Sequence, residues 1–106
     1  MMYFVKNDDD IYKKCLKYIN ELIRNTKYDL TSLQYTPSHF GNIVVELASD
    51  KIIVRFVYDR GDIYRDKRAV DSEHWSDEQL IYNHSMSCNE NYELLFKAID
   101  EFIVNN

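Results

Sequence analysis

Residues that break regular structure are scarce: the chain has two glycines and one proline among 106 residues. Disordered and low-complexity chains carry far more of both. Gly41 and Gly61 stand alone, so no glycine-rich loop exists to cradle a phosphate. Cysteine is scarce too. Cys15 and Cys88 lie far apart and form no metal or redox spacing, which reads as free thiols in a reducing cytoplasm. No apolar run approaches the roughly 20 residues of a membrane-spanning helix. The apolar start, Met1 to Val5, meets Lys6 and then Asp8, Asp9 and Asp10 before a signal segment could form. There is no internal repeat. Together these absences predict one cytoplasmic domain without disulfide, cofactor or membrane segment.

What is present suits a small core. A chain of this length buries roughly 65% of its unfolded surface. Its hydrophobic fraction of 45% and charged fraction of 29% are those of an ordinary globular domain. The net charge of −5 is unevenly placed. Residues 1–29 carry +1 and residues 30–72 carry zero, so residues 73–106 hold −6, with Lys97 the single cation against seven acids. Such a segment disfavours direct nucleic-acid binding and favours cationic partners, or it is a solvated face that keeps the chain soluble.

Hydrophobic periodicity predicts an α+β domain. Ile11, Cys15, Tyr18 and Leu22, widened by Ile19 and Ile23, form a helical stripe over about Asp9 to Lys27, with Asp8 to Asp10 suited to cap its start. Residues Asp29 to Phe40 are ambiguous: Leu33 and Tyr35 alternate with polar neighbours, and Pro37 would end a strand. Asn42 to Ala48 and Lys51 to Tyr58 are β-rich. A turn at Ser49-Asp50 would set Leu47 opposite Ile52, Val45 opposite Val54 and Ile43 opposite Phe56. A second turn, Asp59-Arg60-Gly61-Asp62, leads to a third strand through Lys67 and sets Arg55 opposite Asp66, an ion pair worth little if exposed. Arg68 to Trp75 read as a polar loop. Ser76-Asp77-Glu78-Gln79 is a capping box and predicts a short helix through Leu80 and Ile81 toward His84. A last helix, about Asn89 to Val104, has an apolar face of Tyr92, Leu95, Phe96, Ile99, Phe102 and Ile103. The expected order is α-(β)-β-β-β-α-α: a three- to four-stranded antiparallel meander packed on one face by the terminal helices. The other face would show Val44, Glu46, Ile53, Arg55, Val57 and Tyr64, covered in part by residues 68–88 or available to a partner.

Catalytic patterns are absent. His39, His74 and His84 lack zinc-site spacing, and His84 with Cys88 is half a site at most. Cys15 reads as core. Cys88 lies near His84 and Glu90, but no sharp turn presents it as a nucleophile. Arg60-Gly61-Asp62 matches an adhesion tripeptide, and a hairpin turn explains it. The expectation is a non-enzyme with no metal site. Tyrosine is the compositional excess, nine residues. Tyr64 on the outer sheet face, and Tyr82 with Trp75 near the acidic segment, suit an interface, or they complete a small core. Candidate partner-binding residues are therefore Glu73, Trp75, Asp77, Glu78, Tyr82, Glu90, Glu93, Asp100 and Glu101. Glu46, Arg55 and Tyr64 of the sheet face compete with them.

The run Gly41-Asn42-Ile43-Val44-Val45-Glu46-Leu47, followed by Val54-Arg55-Phe56-Val57-Tyr58-Asp59-Arg60-Gly61, resembles the central hairpin of short bacterial proteins, some classed with immunity proteins of polymorphic toxin systems. The resemblance covers about a quarter of the chain and carries no binding residue across. It implies a protein that binds and blocks one cognate toxin. An acidic C-terminal third would suit a basic nuclease, whose phosphate site carboxylates can occupy. A homodimerising structural or regulatory subunit, and a small enzyme or ligand-binding domain with an unfamiliar site, are the alternatives.

Overall fold

The computed structural model describes residues 2–36, 38, 42–82 and 92–105, with side chains from residue 11 onward. The chain runs α1 (Met2–Ile23), β1 (Asp29–Thr36), β2 (Asn42–Ala48), β3 (Ile52–Asp59), β4 (Asp62–Ala69), β5 (Gln79–Tyr82) and α2 (Tyr92–Asn105). The strands form one five-stranded antiparallel meander in sequence order. This is the expected α+β architecture, with both helices packed on the sheet.

Helix α1 starts earlier and ends sooner than the sequence suggests. Nothing in Met2–Asn7 breaks a helix, so the backbone continues through Asp8, Asp9 and Asp10, which do not cap it. It stops at Ile23 because Asn25 turns left-handed, at φ 64°. Thr26 then clasps the end: its hydroxyl donates to Ile23 O at 2.6 Å and accepts from the Tyr28 N–H at 3.2 Å. Cys15, Ile19 and Ile23 form the buried line, while Tyr18 sits on its flank, 49% exposed. The Tyr18 ring stacks flat on Phe96 of α2 at 4.8 Å.

Within the ambiguous segment Asp29–Thr36 is a strand, made possible by a bulge. Leu30 and Leu33 are three apart, so a regular strand would point them to opposite faces. Thr31 is the extra residue between the Leu30–Leu47 and Ser32–Glu46 pairs, and its hydroxyl donates to Glu46 O at 3.1 Å. The bulge returns Leu33 to the face of Leu30.

The hairpin of β2 and β3 keeps its faces but not its expected register. Leu47 pairs with Val54, Val45 with Phe56 and Ile43 with Tyr58, a slip of two residues from the Ser49-Asp50 turn. The loop is Asp50-Lys51 instead, because the Ser49 hydroxyl accepts the N–H groups of Lys51 and Ile52 at 3.2 Å each. A two-residue slip leaves every side chain on its own face. The next hairpin turns as expected, with Arg60 at φ 53° and Gly61 at φ 89°.

The expected short helix is absent. Gln79–Tyr82 is β5, paired with β4 around a second bulge at Ile81. Ser76 does not cap a helix. Its hydroxyl accepts the Lys67 N–H at 3.0 Å and its own N–H donates to Lys67 O at 2.7 Å. The free edge of β4 offered a complete pair of backbone partners, and the capping box lost to it. Residues 83–91, with His84, Cys88 and the start expected for the last helix, lie outside the described residues, as do Pro37, His39, Phe40 and Gly41.

The core lies between the sheet's inner face and the helices. Ile43, Val45, Leu47, Val54, Phe56, Tyr58 and Ile63 are fully buried there, against Cys15, Ile19, Leu95, Ala98, Ile99 and Phe102. Each large aliphatic or aromatic side chain so buried contributes on the order of 1.5–3 kcal/mol. Ring contacts join β3 to α2: Phe56 meets Phe102 edge-on at 5.8 Å, and Tyr58 meets Tyr92 at 4.9 Å.

Candidate functional site

The register arranges the outer sheet face in rows that cross the strands. Gln34, Val44, Val57, Tyr64 and Leu80 form one, through successive pairs of β1 to β5. Ser32, Glu46, Arg55 and Asp66 form the next, and Ala48, Ile53 and Arg68 the one beyond. Among the described residues both helices pack on the opposite face. Val44, Val57 and Tyr64 are half-buried, and Leu80 is 50% exposed.

The charged row is organised around a buried carboxylate. Asp66 is 6% exposed and is the single charged residue in the buried class among the described residues. It accepts a forked pair from Arg55, Nε to Oδ1 at 3.0 Å and Nη2 to Oδ2 at 2.5 Å. The expected pairing is therefore correct, and the exposure that would have made it worth little is not met, because Asp66 is withdrawn from water. The bond to Asp66 is the main reason the Arg55 guanidinium holds its proton above the usual range, and Glu46 and Glu78 add to it.

The loop between β4 and β5 folds back over part of this face. Trp75 lies over Arg55, with 4.1 Å from ring to guanidinium, and Arg68 approaches the same ring at 5.2 Å. Arg68 also donates to Ser72 O at 2.7 Å, and the Val70 N–H donates to Lys51 O at 2.9 Å. Trp75 thus latches the loop onto the third row and the Arg55 end of the second. The row of Val44, Val57, Tyr64 and Leu80 lies beyond it.

The acidic third does not form one patch. Glu73, Asp77 and Glu78 are exposed on the loop. Glu93, Asp100 and Glu101 are exposed on α2, in the layer on the other side of the sheet. Glu90 lies outside the described residues. Tyr82 donates to Glu101 Oε1 at 2.6 Å, and that bond chiefly raises its pKa. The two sets of sequence candidates partly merge: Glu78 acts electrostatically on Arg55 and on Tyr64, so it belongs with Glu46 and the sheet face. Leu80 and Arg68 were missed as site residues. Leu80 was hidden by the helix reading, although Gln79-Leu80-Ile81-Tyr82 has a strand's composition.

A concavity of about 600 Å³ lies between the helices, lined by Ile11, Cys15, Tyr18, Tyr92 and Phe96, with Lys14 and Glu93 its charged residues. Burial pushes the Cys15 thiol up to about 11, against a slight opposing effect of Lys14, so it stays protonated and a poor nucleophile at neutral pH. His74 is exposed on the loop. No cluster of three metal-binding side chains occurs among the described residues, and no helix of the described residues is long and apolar enough to cross a membrane. No protein-family model matches the chain, and neither a curated protein nor a solved structure matches it.

Proposed function

We propose that the chain is a protein-binding module, and within that class an immunity-type inhibitor that binds and neutralises one cognate bacterial toxin. The observation that carries this reading is the unequal use of the sheet. Both helices pack on one face, and the other keeps an aliphatic and aromatic row at the surface beside acidic side chains. A contiguous apolar row rimmed by polar and charged side chains is the pattern that marks an interaction surface. The resemblance of the central hairpin to immunity proteins gives the finer part of the proposal. The acidic side chains at that face, Glu46 and Glu78 among them, make a basic toxin, such as a nuclease, the fitting target.

Co-expression with the product of the adjacent gene tests the proposal. Relief of that product's toxicity, with the two chains eluting together, is the expected result. Undiminished toxicity and separate elution would overturn it.

A further inference from the structure

Resting on the reading of the chain as a toxin-binding module, we infer that the toxin docks on the outer sheet face along Val44, Val57, Tyr64 and Leu80, and presents there a cationic surface with an apolar centre. The row is continuous across four strands, and its side chains are fixed by a rigid sheet, so little ordering entropy opposes binding. Among the described residues the loop latched by Trp75 lies over Arg55 and Arg68 and not over this row, where Leu80 is half exposed.

Charge decides what fits. Asp66 neutralises Arg55, and Arg68 is turned to Ser72 O and the Trp75 ring. Around the row stand Glu46, Asp59, Asp62 and Glu78, four carboxylates against two cations among the described residues, Arg68 and Arg60, the latter 3.6 Å from Asp59. The Tyr64 hydroxyl registers this field. It donates to Asp62 Oδ2 at 3.4 Å, and its pKa is raised by partial desolvation and then by Asp62, Asp59 and Glu78. An acidic rim repels nucleic acid and anionic membrane alike. It also disfavours a second copy of the chain, which would set carboxylate against carboxylate. Lysine and arginine side chains match it: their aliphatic stems can lie on the row while their charged ends reach the carboxylates.

The test measures binding of the full chain to the purified product of the adjacent gene, with single substitutions at exposed positions. Leu80→Arg is expected to weaken the complex at least about tenfold. Glu78→Lys is expected to slow association about three- to tenfold at low salt, with the difference shrinking at high salt. Asp100→Lys, on α2, should change affinity by less than about twofold. All three should keep the wild-type melting temperature, since each replaces an exposed side chain. A complex weakened by Asp100→Lys and indifferent to Leu80→Arg would overturn this inference and leave the toxin-binding reading standing. No complex with the wild-type chain, and no relief of toxicity, would overturn that reading and the inference with it.

Discussion

The two faces of the sheet are drawn from the same strands, residue by alternate residue, and they have opposite characters. On the inner face Ile43, Val45, Leu47, Val54, Phe56 and Tyr58 are fully buried under two helices. On the outer face Val44, Glu46, Ile53, Arg55 and Val57 lie between those same residues and are half-buried, beneath one latched loop and open surface. The inner face is a sink of apolar area and sets stability. The outer face is held by a guanidinium, a carboxylate and an indole, and its apolar row, only half-buried, gains less from folding than the inner face does. The area it keeps at the surface is what binding can still bury.

The sharpest way to break this comparison is to truncate neighbours on opposite faces. Phe56→Ala should cost about 3–5 kcal/mol in urea unfolding, whereas Val57→Ala should cost about 1 kcal/mol or less. Equal costs would mean that the outer row is also core. Alkaline pH probes the inner side. The Cys15 thiol is raised from 9.0 to about 11 in the folded chain. Above pH 9 the unfolded chain loses this proton and the folded chain keeps it, so the contribution is present below 9 and lost between 9 and about 11. The loss amounts to roughly 2–3 kcal/mol. Cys15→Ala should flatten the decline that begins near pH 9. The decline that tyrosines with raised pKa values bring at still higher pH should remain. A variant curve parallel to wild type would place the thiol in contact with solvent.

The outer side has its own stability test. Asp66→Ala leaves Arg55 without its partner and should cost about 2 kcal/mol, less than for a fully buried pair because Arg55 keeps some water contact. A double-mutant cycle with Arg55→Met should return a coupling of about 1 kcal/mol or more. A coupling near zero would reduce the pair to an ordinary surface contact.

These faces were largely legible in the sequence. The alternation of Asn42 to Tyr58 has a period of two, so the division into inner and outer side chains survived a register wrong by two residues. The Arg55–Asp66 pair was legible because Gly61 fixes the second turn. What failed was local chemistry overridden by distant partners. Ser76 carries a helix-capping pattern, yet the edge of β4, nine residues away, offered it both a donor and an acceptor. The strand Asp29–Thr36 was open in the sequence, neither excluded nor fixed, because only a bulge reconciles the spacing of Leu30 and Leu33 with one face. Counting charge along the chain found the acidic third but could not show that the sheet divides it, with Glu78 on one side and Asp100 on the other.

If the outer sheet face is the working surface, a hydrogen-exchange footprint of the complex with the adjacent-gene product shows it directly. New protection is expected in β5, the edge strand that carries Leu80, and in the loop from Val70 to Glu78, with α1 and α2 unchanged. Protection confined to α2, with β5 and the loop exchanging as in the free chain, would contradict it.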